Sequence, residues 1–138
     1  MRLRHAFHSD RAVFEQIYPH MSGALFTDRI ASGSAYLIEA DGKAVGVMHH
    51  CMFWDGLPYL SLIYLLELYR RKGIGSFAMK AWEEEMRERG CAMVLTSTQA
   101  DETAQHFYRK CGYTDCGGLF LHGTPYDQPA ELFLSKIL

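Results

Sequence analysis

Neither basic residues nor cysteines are present in the numbers that would point directly to a function. The chain carries 14 Lys and Arg against 16 Asp and Glu, a formal net charge of -2. Its isoelectric point is near 6.4. That balance excludes a nucleic-acid footprint spread over a whole face, since such binders displace counterions along many phosphates with Lys and Arg. Cys51, Cys91, Cys111 and Cys116 form no C-x-x-C pair and no metal-ligand spacing, and they read as reduced cytosolic thiols. His49 and His50 are adjacent, but in a strand they point to opposite faces, so no metal is assigned. The longest nearly uninterrupted apolar stretch, "LPYLSLIYLL" at 57–66, is half of the about 20 residues a membrane helix needs. With no apolar signal-peptide core at the start either, the expectation is a soluble, cytoplasmic protein that meets neither membrane nor nucleic acid.

What is present is core. Hydrophobic residues make up 49% of 138 residues, enough for one ordinary domain, read here as 1–138. A short extended segment at 2–7 precedes a helix that Ser9 or Asp10 can cap and that runs to about His20, followed by a shorter helix at 23–31. Three apolar runs at 34–40, 43–53 and 58–66 are separated by Asp41-Gly42 and Asp55-Gly56. Asp-Gly supplies the positive φ of tight hairpins, which predicts an antiparallel meander. From Ile74 the period becomes helical through Phe77, Ala78, Ala81 and Trp82. Glu83/Arg87 and Glu85/Arg89 form i,i+4 pairs on the expected wet side, and Gly90 is the stop. A buried strand at 91–98 leads to a helix capped by Asp101 and ended by Gly112. Strands near 113–121 and 130–137 flank a Gly- and Pro-containing loop. The order predicts an α/β chain (an α+β mixed sheet), mostly antiparallel, with helices on both faces. The strand before Ile74 and the strand from 91 should run parallel across their helical crossover.

The stretch "ELYRRKGIGSF" at 67–77 sets Arg70, Arg71 and Lys72 beside Gly73 and Gly75 where a strand gives way to a helix. Unpaired N–H groups and the helix dipole make such a start an anion site, and glycine lets the backbone approach a ligand oxygen. A solvated basic turn shaped by glycines fits these residues equally well. A Walker loop is excluded because the one Gly-Lys pair, Gly42-Lys43, is followed by Ala44. Gly73, Gly75 and Ala78 match a dinucleotide fingerprint formally, but the preceding strands are joined by hairpins rather than helices.

"RRKGIG" at 70–75 together with "AQHFYRKCGY" at 104–113 resembles two signatures of the GNAT superfamily of acyl-CoA-dependent N-acyltransferases, Q/R-x-x-G-x-G/A and A-x-x-F/L-Y-x-x-x-G-F/Y. The element order resembles the GNAT fold over nearly the whole chain. Arg71 departs where glycine is frequent, Glu67-Leu68 where Pro-Glu is frequent, and Asp101 where asparagine often caps the second helix.

The resemblance implies acetyl-CoA as cosubstrate and an amine acceptor that the sequence does not name, with no metal and with a homodimer allowed. It implies pyrophosphate binding by Arg70, Arg71, Lys72, Gly73, Ile74, Gly75 and Ser76. Backbone contacts to the pantetheine arm would come from Ile63, Tyr64 and Leu65, and further cofactor contacts from Asp101, Ala104, Phe107 and Tyr108. Tyr108 would protonate the leaving sulfur; by periodicity alone, Ala104, Phe107, Tyr108 and Cys111 are a core stripe. For the general base, Tyr59, Ser61, Thr96 and Thr98 occupy the strand positions where family members often place one. None is a good base at neutral pH. Glu67, His49, His50, Tyr59 and water stay open. The acceptor pocket is expected from 18–31 and the 123–129 loop. A non-catalytic acyl-CoA-binding module is the competing reading.

Overall fold

Asp41 and Gly42 turn the chain as their chemistry requires, at φ of 53° and 73°, between strands Ala35–Ala40 (β2) and Lys43–Phe53 (β3). The second turn behaves differently. Trp54 and Asp55 hold the left-handed conformation (51° and 63°), and Gly56 donates its N–H to the Phe53 carbonyl. Pairing of β3 with strand Leu57–Leu65 (β4) ends at Phe53 opposite Leu57. The corner therefore falls on 54 and 55, one residue ahead of the Asp-Gly pair, and Trp54 is left 84% exposed.

This computed structural model describes residues 1–138. Strand Arg2–His5 (β1) opens the chain, and Met93–Gln99 (β5), Thr114–Leu119 (β6) and Glu131–Ile137 (β7) complete one seven-stranded sheet in the order β1-β2-β3-β4-β5-β7-β6. β4 and β5 are the one parallel pair, as the helical crossover between them predicts. Helices Arg11–Ile17 (α1) and Gly23–Ala31 (α2) lie on one face; Ile74–Glu88 (α3) and Ala104–Lys110 (α4) lie on the other. In β2, Tyr36 and Ile38 join the core under α3 while Ala35 and Leu37 join the core under α1 and α2. The period of two thus feeds both layers.

Three expectations need correction. The first helix stops at Ile17 instead of near His20, because Tyr18 precedes Pro19 and takes the extended conformation (φ -136°, ψ 95°), as a residue before proline must. The last helix begins at Ala104 after an N-cap at Thr103. Asp101 does not cap it. It is exposed in a turn that Gln105 holds through bonds of 2.9 Å to the carbonyls of Ala100 and Glu102. Glu83, placed on the wet side with Arg87, is 3% exposed. Its carboxylate accepts from the Tyr113 hydroxyl at 2.8 Å and from Lys136 at 2.8 Å, while Arg87 pairs with Glu84. The Glu85–Arg89 pair forms as expected.

The two histidines do point to opposite faces. His50 lies under α3 and accepts the Trp82 indole N–H at 3.1 Å; His49 accepts from Arg29 at 3.3 Å. Burial, aided by nearby arginines, lowers both to about 4. A histidine depressed in the native state binds fewer protons there than in the unfolded chain, so its contribution is complete above about 6.5 and is lost as pH falls toward 4. Urea unfolding should lose on the order of 3 kcal/mol per histidine across that window. His50→Gln, which keeps an acceptor for Trp82, should flatten the slope; equal pH dependence in that variant would contradict the assignment.

Candidate active site

β4 and β5 are paired only at Tyr59 with Leu95 and Leu60 with Thr96, and then they part. Each keeps its other neighbour: β3 pairs along β4 as far as Leu65, and β7 along β5 as far as Gln99. The edges that face each other across the gap are therefore the open ones. Leu66 N–H donates to Val45 of β3. By the period of two, Tyr64 also turns its backbone toward β3, and the N–H groups of Ile63 and Leu65 face the gap. Ser61 is an extra residue in β4, since His49 pairs Leu62 and His50 pairs Leu60. A bulge of this kind bends the strand and re-phases it. Leu60, Ile63 and Leu65 then pack toward α3 and α4, while Leu62 and Tyr64 pack toward α1 and α2.

At the apex, Thr96 Oγ1 donates to the Leu60 carbonyl at 3.1 Å. The Tyr108 hydroxyl lies beside Thr96, and burial pushes it up to about 12, with the Thr96 hydrogen bond opposing the shift. Tyr108 is 7% exposed. It is both the core residue its helical stripe suggests and a protonated donor at the parting point.

The loop after β4 makes a turn of 3-10 helix at Glu67–Tyr69. Arg70 then folds back, donating from Nε to the Leu65 carbonyl at 2.9 Å, its guanidinium 5.2 Å from the Tyr64 ring centre. Glu67, Arg70 and Arg71 line a cleft of about 350 Å³. Gly73, at φ 79°, is the N-cap of α3, and the first helical bond runs from Phe77 N–H to Gly73. The N–H groups of Ile74, Gly75 and Ser76 make up the helix's first turn of unpaired donors. The two glycines serve different ends. A Cβ on Gly73 would meet nothing within 4 Å, so its role is conformational; a Cβ on Gly75 would stand 3.2 Å from two Phe107 ring carbons, so its role is close packing.

The model of the acetyltransferase (GNAT) family matches residues 3–113. The chain belongs to this family. In fold it is similar to ribosomal-protein-alanine N-acetyltransferase from Brucella melitensis (TM-score 0.82, 23% identity, 100% of each chain covered). It is similar also to Ard1 from Thermoplasma volcanium (0.85, 21%, 99% of this chain and 97% of that one). A GNAT family acetyltransferase from Elizabethkingia anophelis, solved with acetyl-CoA bound, gives 0.78 and 16% over 99% of this chain and 97% of that one. No curated protein matches the chain in sequence.

Of the residues the GNAT resemblance singles out, Ile63, Leu65, Ile74, Ala104, Phe107 and Tyr108 meet in one apolar cluster. Arg70 is tied to that strand, and Ser76 bonds the Cys111 side chain, opposing the rise that burial gives the thiol. Tyr64 sits on the opposite face against Tyr18, with ring centres 5.4 Å apart. Arg71, Lys72 and Asp101 are exposed. Among the base candidates, His49 and His50 already accept hydrogen bonds from Arg29 and Trp82. Thr96 is spent on Leu60, Ser61 lies 3.6 Å from Cys51 Sγ, Thr98 is buried and Glu67 is exposed on the loop.

Sequence reasoning missed two polar groupings. Glu83 was discoverable, because it falls four residues after Met79 on the apolar stripe of α3. The hydrogen bonds of Tyr59 to Ser97 (2.5 Å) and Ser97 to Glu131 (2.9 Å) depend on strand order and carry no local signal.

Arg71 holds φ of 59°, where a side chain costs about 1 kcal/mol and glycine costs nothing. This is the position where glycine is frequent in the signature. Arg71→Gly should stabilise the fold by up to about 0.5 kcal/mol after the flexibility it adds to the unfolded chain. The check is the urea midpoint at unchanged m-value; a lower midpoint would mean that Arg71 makes a compensating contact.

Proposed function

We propose that the protein is an N-acetyltransferase that moves an acetyl group from acetyl-CoA to a primary amine of a small molecule or protein. The observation that carries this reading is the parting of β4 from β5 with a protonated tyrosine at its apex. The pantetheine arm contains amide groups that can take the place of missing sheet partners, pairing with the open edge at Ile63 and Leu65 as an added strand would. The first-turn N–H groups of α3, with Arg71 and Lys72 nearby, suit the pyrophosphate. Arg70 contributes mainly by bracing the strand end. Membership of an acetyltransferase family supports the same cosubstrate, and a bound acetyl-CoA in one fold relative agrees with it.

Acyl transfer from a thioester needs a proton for the departing thiolate. Held at about 12, the Tyr108 hydroxyl stays protonated at every physiological pH and can supply it. The name of the Brucella relative favours an amino group on a protein among the acceptors to test.

Coenzyme A binding is tested by calorimetry on Gly73→Asp. Open space around Gly73 and the tolerance of aspartate for left-handed backbone should keep this variant folded, while its charge faces the pyrophosphate. Affinity should fall at least about tenfold; equal affinity in the folded variant would remove the phosphate assignment.

Turnover is tested by thiol release from acetyl-CoA across amines, polyamines, aminoglycosides and peptides. With an acceptor in hand, Tyr108→Phe should lower kcat about a hundredfold or more with coenzyme A affinity and melting temperature little changed. A variant with wild-type kcat would return Tyr108 to a purely structural role. Coenzyme A binding without turnover of any amine would support a non-catalytic module.

A further inference from the structure

On the side of the parting strands opposite Tyr108 runs a second chain of polar groups. Tyr59 stands on the rung just before the last paired one, opposite Leu95, with its ring 6.2 Å from that of Phe133. Its hydroxyl lies 2.5 Å from Ser97 Oγ, and Ser97 donates to Glu131 Oε1 at 2.9 Å. A serine hydroxyl has one proton to give. Because Glu131 takes it, Tyr59 must be the donor to Ser97, and the chain has a single direction from Tyr59 through Ser97 to Glu131. The lone pairs of Tyr59 Oη remain free to accept. Gln128 Nε2 donates to the other carboxylate oxygen at 3.0 Å while Gln128 Oε1 accepts from Gln99 Nε2 at 3.4 Å, so the carboxylate is held from both sides.

We propose that Glu131 is the terminal proton acceptor of the transfer reaction, reached from the attacking amine through Tyr59 and Ser97. This rests on the acetyl-transfer reading above. The geometry favours this chain over the other candidates. Both strand histidines have their Nδ1 acceptors occupied by Arg29 and Trp82, and Glu67 is on the exposed loop. No side chain on the paired rungs other than Tyr59 leads to a carboxylate. Tyr59 and Tyr108 sit on opposite sides of the same apex, near enough that a charge on Tyr59 would disfavour ionisation of Tyr108.

The proton bookkeeping closes. As the amine nitrogen bonds to the acyl carbon and the carbon–sulfur bond breaks, the sulfur takes the Tyr108 proton. The amine gives a proton to Tyr59 Oη, Tyr59 gives its own to Ser97 Oγ, and Ser97 gives its own to Glu131. The carboxylate ends neutral and Tyr108 ends ionised; after product release Glu131 returns a proton to solvent and Tyr108 regains one.

Members of a relay act in series, so their removal is not additive. Glu131→Gln and Ser97→Ala should each lower kcat about a hundredfold with little change in KM for the amine or in coenzyme A affinity. The double variant should be no slower than either single one, and Ser97→Thr, which keeps the hydroxyl, should recover most of the rate. Independently of activity, the ring-carbon NMR signal of Tyr59 in protein with labelled tyrosine should shift in Ser97→Ala and in Glu131→Gln. Wild-type kcat in Glu131→Gln, multiplicative losses in the double variant, or an unmoved Tyr59 signal would each overturn the relay while leaving acetyl transfer intact. Absence of thiol release from wild-type protein with every amine would overturn acetyl transfer, and the relay with it.

Discussion

A parallel pair of strands that stops pairing after two rungs must find another way to satisfy or expose its backbone, because unpaired peptide groups inside a protein are costly. β4 and β5 resolve this by leaning on their outer neighbours, β3 and β7, which pair along both strands past the point of divergence. The bulge at Ser61 turns β4, and the Thr96 hydroxyl closes the apex against Leu60. What remains is a gap with strand edges for walls, open to a guest that carries its own amides. Every other feature of the site is placed relative to that gap: α3 starts where β4 ends, α4 brings Tyr108 to the apex, and β7 brings Glu131 to the far side.

Holding the gap open depends on how firmly α3 and α4 are fixed over the sheet. Trp82 anchors α3 by filling the core and by bonding His50. Glu83 anchors it again by receiving Tyr113, just beyond α4, and Lys136 from β7, while Lys136 also reaches the Cys111 carbonyl at the end of α4. A buried carboxylate is destabilising unless it is paired and hydrogen-bonded. Here both conditions are met, and one group ties α3, the end of α4 and β7 together. The contact between Gly75 and Phe107 completes the union at the other end of the helices.

Much of this was legible in the order of residues. Hairpins, crossover and helix stops follow from local chemistry: Asp41-Gly42 can take positive φ, Gly90 and Gly112 sit at φ of 89° and 93° after their helices, and the period shift at Ile74 marks α3. The two motifs that carry the GNAT resemblance are local too, since a phosphate-binding turn is built from consecutive backbone groups. The errors were also local in origin. Asp101 has the right chemistry for a cap, but the Gln105 bonds favour a turn there and delay the helix. Glu83 looked solvated because Arg87 follows at i+4, although its place on the apolar stripe carried the opposite message.

Sequence by itself determined the elements, the parallel pairing and the basic, glycine-bearing turn ahead of α3, because each depends on interactions between near neighbours in the chain. Only the tertiary structure decided which strands keep their partners, which N–H groups face the gap, and which carboxylate the hydroxyls of Tyr59 and Ser97 lead to. Residues 59, 97 and 131 come from β4, β5 and β7, and their side chains meet only when sheet order and register are set. That register is chosen by burial of the apolar face summed over whole strands, and no stretch of sequence contains it alone.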